Sequence, residues 1–130
     1  MATVKQFEDL EIWKLSRVLC QKIYILITET ELKNDYKLKE QINGSSGSVM
    51  DNIVEGFERN GNKEFRQFLS IAKASCGETQ SQLYRAFDRN YILADTFEEL
   101  TNLTSEIRKK IGSFIKYLNN TAYRGHKFGA

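Results

Sequence analysis

Few residues in this chain have side chains suited to bond-making chemistry, and their spacing excludes most of it. The single histidine, His126, lies near the end of 130 residues. A His-activated nucleophile or a His-rich metal site therefore cannot be assembled in the core, and His126 is expected to be solvent exposed. Di-iron carboxylate bundles need Glu-x-x-His pairs on facing helices, and the sequence has no such pair. Cys20 and Cys76 are too few and too far apart for a disulfide framework or a thiolate metal site, and their apolar neighbours in helical patterns mark them as core residues. Ser45, Ser46, Ser48, Ser70, Ser75 and Ser81 have no base to activate them and read as small packing residues on helices. Gly44 and Gly47 resemble part of a phosphate loop, but the terminal Gly-Lys-Ser/Thr and the preceding apolar strand are missing. No catalytic constellation, cofactor or metal site is expected, and the chain does not read as an enzyme.

A second group of polar residues calls for structure rather than catalysis. Gln41, Asn52, Glu55, Ser75 and Glu78 sit beside apolar positions in the pattern. Polar groups so placed must be satisfied by hydrogen bonds, which predicts a network between the second and third helices, with ligand recognition as the alternative. Trp13, Tyr24, Tyr84 and Tyr91 have rings that can stack on nucleobases, yet aromatics at helical spacing more often serve a core or a subunit interface.

The elements that must position these residues are helical throughout. From about residue 8 to 30, Ile12, Leu15, Leu19, Ile23 and Leu26 recur at steps of three and four, and Trp13, Val18, Tyr24, Ile25 and Ile27 widen the stripe beyond what one bundle seam needs. The polar stretch 28–35 is the first connection, with Asn34 or Asp35 as N-cap. A second helix over 36–57 places Leu38, Ile42, Ser45, Val49, Ile53 and Phe57 on one face. Its apolar phase runs through Asn43-Gly-Ser-Ser-Gly-Ser48, so that segment reads as helix with small side chains that let a neighbour approach closely, rather than as a loop, although each internal glycine costs about 1 kcal/mol against alanine. The cluster Arg59-Asn-Gly-Asn62 is the clearest loop. A third helix, 63–90, turns Phe65, Phe68, Leu69, Ala72, Cys76, Leu83 and Phe87 inward. Asp95 and Glu98 have capping-box spacing for a fourth helix over 96–118, with Phe97, Leu100, Leu103, Ile107, Ile111, Phe114 and Leu118 as its stripe and Asn119-Asn120 at its end. Short connections force an antiparallel up-down-up-down four-helix bundle, an all-α fold over 1–119, followed by a polar, basic tail over 120–130.

Composition agrees with one domain: 41% hydrophobic residues suffice for a core, and the absence of proline leaves every helix unbroken. The net charge of +2 conceals a split. Residues 1–107 hold thirteen bases against seventeen acids, about −4, whereas residues 108–130 hold six bases and no acid, about +6. Helix C-termini favour cations, which accounts for part of this, and a basic end facing nucleic acid is the other reading. No signal-peptide pattern and no run of about 18 apolar residues is present, so a cytoplasmic location without membrane contact is expected.

Three segments together carry a family resemblance: Phe7-Glu-Asp-Leu-Glu-Ile-Trp13; Gln41-Ile42 with Ser48-Val-Met-Asp-Asn-Ile-Val-Glu-Gly-Phe57; and Glu64-Phe-Arg-Gln-Phe-Leu-Ser-Ile-Ala72 with Ser75 and Glu78. Over residues 7 to about 118 the chain resembles the 23S rRNA intervening-sequence proteins, a family that also includes accessory proteins of diversity-generating retroelements. The resemblance implies an antiparallel four-helix bundle assembled as a homopentameric ring without enzymatic activity. In the retroelement branch it also implies a basic ring that associates with nucleic acid and a reverse transcriptase, and for the rRNA-encoded branch RNA binding is the suspected function. A pentamer would give the wide apolar face of the first helix a second surface to cover. The chain departs from its relatives where a basic pair commonly follows Gln41-Ile42, having Asn43 and Gly44, and where many have proline, having Met50. The first departure removes charge from a phosphate-contacting surface.

The expectation is therefore a non-enzymatic, oligomeric bundle that contacts RNA or DNA through phosphate charge, without base readout. The positions nominated are Lys109, Lys110, Lys116, Arg124 and Lys127 toward the end of the chain, with Arg59, Lys63 and Arg66 near the second loop. The alternative is a scaffold that docks a partner enzyme, which itself holds the nucleic acid.

Overall fold

The computed structural model describes residues 4–121, and no strand occurs among them. Four helices, α1 (Glu11–Glu29), α2 (Tyr36–Phe57), α3 (Asn62–Asp88) and α4 (Ala94–Asn119), form the antiparallel bundle, with a one-turn 3-10 segment, Phe7–Asp9, before α1 and another, Glu31–Asn34, between α1 and α2. Each helix packs on the next in sequence, and α1 closes the square against α4. Most expected inward positions are buried, among them Ile12, Leu19, Ile23 and Leu26 of α1, Leu38, Ile42, Val49 and Ile53 of α2, Phe65, Leu69 and Cys76 of α3, and Leu100, Ile107 and Ile111 of α4, whereas Leu15, Phe68, Phe87, Phe97, Leu103 and Phe114 are half-buried.

Local chemistry explains where the helices begin and end. Asp35 caps α2, its Oδ1 accepting from the Leu38 amide at 3.3 Å, while Thr30 accepts from the Leu32 amide and so starts the 3-10 turn that buries Leu32. At the end of α3, Asn90 takes the left-handed conformation, with φ of 62°. The Tyr91 amide then reaches the Ala86 carbonyl and the Asn90 amide the Phe87 carbonyl, the two bonds of a Schellman ending. That turn delivers Tyr91 and Arg89 to the capping residue of α2: Asp35 Oδ2 accepts from the Tyr91 hydroxyl at 2.8 Å and from Arg89 at 2.7 Å.

Two expectations need correction. The capping box at Asp95 and Glu98 does not form: α4 starts at Ala94 with extended Leu93 before it, so Asp95 lies within the first turn and acts only through the helix dipole. The small residues in the middle of α2 also divide differently from what was expected. The helix runs unbroken through Asn43–Ser48, but a Cβ at Gly44 or Gly47 would meet nothing within 4 Å, so neither glycine admits a neighbour. The close approaches are at Ser45 and Ser48, as expected of small side chains, whose hydroxyls meet Thr79 and Ser75 of α3, and at Gly56, where a Cβ would lie 2.8 Å from both Phe65 Cδ1 and Phe68 Cβ. Below it Phe57, Phe65 and Phe114 meet edge to face, at centroid distances of 6.1 and 5.4 Å.

Candidate nucleic-acid interface

The antiparallel register of α3 and α4 assembles a basic stripe from residues far apart in sequence. Arg66 meets the Asn119 side chain, the Lys73 amine lies 3.8 Å from where a Cβ on Gly112 would stand, and Arg108 donates to Gln80. Between these contacts lies a cleft of about 640 Å³ lined by Lys73, Ser105, Arg108, Lys109, Gly112, Ser113 and Lys116. The lining holds four cations and no carboxylate. Lys109 and Lys116 are seven residues apart on one face of α4, about 10 Å along the axis, and Lys73 faces them from α3. Cations spread over such a distance, with hydroxyls between them, can hold several phosphate oxygens of one strand by charge, without reading bases.

The nominated cations do not all belong to this stripe. Lys109 and Lys116 line the cleft, and Arg66 extends it, although its Nε also donates to the Asn62 carbonyl. Lys110 turns toward α1 and pairs with Glu11 at 3.3 Å. Arg59 bonds to Glu55 one turn back, approaches Glu64 at 4.0 Å and lies over the Phe68 ring, so it joins α2 to α3. Lys63 is exposed in the first turn of α3. Arg124 and Lys127 lie outside the described residues, as does His126. Lys73 and Arg108, which complete the cleft, were not among the positions nominated from sequence. The signal for Lys73 is the seven-residue step from Arg66, which becomes readable only once α4 is placed beside it, and that for Arg108 is its place next to Lys109 in sequence.

The polar contacts between α2 and α3 are also reassigned. Ser75 and Asn52 belong to them, with Ser48 Oγ 3.0 Å from Ser75 Oγ and accepting from Asn52 at 2.9 Å. Gln41 reaches α3 at the exposed edge, accepting from Arg85 at 2.9 Å. Glu55 and Glu78 face outward, and the buried part is made instead by Ser45, whose hydroxyl contacts Thr79 at 2.8 Å and donates to Gln82 at 2.6 Å. Carboxylates would have to be desolvated in this seam, whereas hydroxyls satisfy one another there.

Two comparisons place the fold. A family model described as the 23S rRNA-intervening sequence protein matches residues 8–113. The chain belongs to the 23S rRNA-intervening sequence protein family. Among solved structures it is similar to a protein of unknown function from the S23 ribosomal protein family of Bacteroides thetaiotaomicron VPI-5482, with a TM-score of 0.73, 26% identity, and coverage of 81% of this chain and 98% of that one. No curated protein matches.

Burial pushes the Cys76 thiol up to about 12, and burial also raises Cys20, whose sulfur donates to the Ser46 carbonyl, so neither is a thiolate nucleophile near neutral pH. Among the described residues no group of three or more His, Cys, Asp and Glu side chains is placed to hold a metal, and no helix is long and apolar enough to cross a membrane.

Proposed function

We propose that this member of the intervening-sequence family is a non-enzymatic nucleic-acid-binding protein that holds an RNA or DNA backbone in the α3–α4 cleft. The observation that supports the reading is the convergence of Lys73, Arg108, Lys109 and Lys116 on one cleft without an acidic residue. Arg66 continues the stripe toward Asn119 at the end of α4. The test is titration of a structured RNA and of duplex DNA at several salt concentrations. The triple variant K73A/K109A/K116A is expected to weaken binding and to reduce the slope of log K against log salt by about 2–3, at roughly 0.7–0.9 for each phosphate no longer neutralised. K110A, on the side facing α1, is expected to leave the slope unchanged. Equal slopes for the wild type and the triple variant would overturn the reading.

A second observation favours self-association. Besides its buried stripe, α1 presents Val18, Tyr24 and Ile25, exposed by 37, 63 and 51%, and α3 presents Ile71 and Tyr84. Exposed apolar side chains on two helices suit an interface between copies, for which a homopentamer is the family expectation. A ring would repeat the basic cleft around one axis and give avidity to individually weak phosphate contacts. Light scattering at micromolar concentration decides it, and a monomer would remove this part of the proposal.

A further inference from the structure

On the opposite side of the bundle from the basic cleft, the 3-10 turn, α1 and α2 enclose a second groove of about 450 Å³, lined by Phe7, Trp13, Met50, Asp51, Val54, Glu55 and Glu58. Its floor is aromatic and aliphatic: Phe7 and Trp13 meet edge to face at 5.1 Å, and Met50 and Val54 are half-buried beside them. Its rim is acidic. Glu55 pairs with Arg59, while Asp51 and Glu58 are exposed and have no ion-pair partner among the described residues. Carboxylates beside an apolar floor repel a polyanion and suit a segment that alternates cations with aromatic rings.

The chain contains such a segment. Residues 122–130 include Tyr123, Arg124, His126, Lys127 and Phe128 and no acid. The preceding residues end on the correct side of the molecule. The Leu118 carbonyl accepts from Asn62 at 3.1 Å, and Asn62 follows the α2–α3 loop that begins at Glu58, so α4 ends at the same end of the bundle as the groove. Helix axes lie 8–10 Å apart, so the groove is within roughly 20 Å of the end of α4. Nine residues can span roughly 30 Å. We infer that the α1–α2 groove is a docking site for residues 122–130 of the same chain, with Arg124 and Lys127 facing Asp51 and Glu58 and the rings of Tyr123 or Phe128 against the floor. A short tether gives a local concentration on the order of 1 mM, so a contact with a Kd of that order fills the groove about half of the time. The groove and its carboxylates lie apart from the cleft, and although Arg124 and Lys127 are also nominated for nucleic acid, occupancy of the groove is read without nucleic acid present.

Trp13 is the only tryptophan of the chain and lines the groove, so its fluorescence reads occupancy directly in the full-length protein. The variant R124E/K127E is expected to shift Trp13 emission to the red and to raise its quenching by acrylamide, with circular dichroism unchanged. D51N/E58Q is expected to do the same, and the four substitutions together should have no greater effect than either pair, because both pairs break one contact. The charge exchange D51K/E58K in the R124E/K127E background is expected to restore shielding. Equal quenching of Trp13 in the wild type and R124E/K127E would overturn the inference, as would tail and groove effects that simply add. Shielding that falls on dilution would overturn the intramolecular form and assign the groove to another copy.

Discussion

The two ends of the α2–α3 seam are held by different physics. Where α2 begins and α3 stops, one carboxylate organises the contact: Asp35 accepts from the Leu38 amide, the Arg89 guanidinium and the Tyr91 hydroxyl. Where α2 stops and α3 begins, the contact is steric, with Gly56 pressed onto Phe65 and Phe68 and the rings of Phe57, Phe65 and Phe114 filling the space below. Between them runs the hydroxyl ladder of Ser45, Thr79, Ser48 and Ser75. The first end is controlled by charge and answers to pH; the second is controlled by volume and answers to side-chain size. The second end also borders the acidic groove, because α2 contributes Gly56 to the seam and Glu55 and Glu58 to the rim.

Substitutions can separate the two regimes. At the steric end Gly56→Ala is expected to destabilise by about 1–3 kcal/mol, as overpacking does when the added methyl meets the Phe65 ring and the Phe68 Cβ, which cannot withdraw without moving the helix. Urea unfolding measures this, and a neutral result would show that the end is looser than its contacts imply. At the polar end Asp35→Asn is expected to lower the melting temperature by less, and to do so only at pH values where Asp35 is ionised. The Tyr91 hydroxyl, ahead of the Leu38 amide and Arg89, holds the Asp35 carboxyl below its ordinary value. Its contribution is therefore complete above the unfolded carboxylate value near 3.9 and is lost as pH falls through the lower folded value. Melts from pH 2 to 7 should show the wild type losing its advantage over D35N on the acid side, and a constant gap would remove the charge from the account. The same hydrogen bond raises Tyr91, so this contribution is full below the ordinary tyrosine value and disappears as pH rises through the raised one. The smallest effect is expected midway along α2, where Gly44→Ala or Gly47→Ala should stabilise by about 0.5–1 kcal/mol each, since an added methyl meets nothing within 4 Å.

These glycines show what a single sequence can and cannot disclose. The helical period passing through Asn43–Ser48 was enough to keep α2 intact, and Asp35 was readable as a cap because its type and its place before an apolar run agree. The packing role of Gly56 was invisible, because glycine's two uses, an open helix surface and a crowded crossing, look alike until the facing helix is in register. The basic cleft was half legible for the same reason. Lys109 and Lys116 share a face of α4 by spacing alone, but Lys73 joins them only through the antiparallel pairing that sets it against Gly112. The carboxylates nominated for the buried network failed on energetic grounds: Glu55 and Glu78 stay in water, and serine and threonine take the interior places. The family resemblance, by contrast, rested on combined segments, and the family model spans residues 8–113.

Gly112 also has a genetic meaning. Every glycine codon lies a single base change from a codon for aspartate or glutamate. A carboxylate at this point would stand beside the Lys73 amine at the centre of the cleft, among the four cations that line it. The polarity of the whole surface is thus held at a position where one nucleotide substitution can pair off its central cation while the helices remain as they are. Under the proposed nucleic-acid role, descendants of one gene would in this way divide into strong and weak binders without any change of fold.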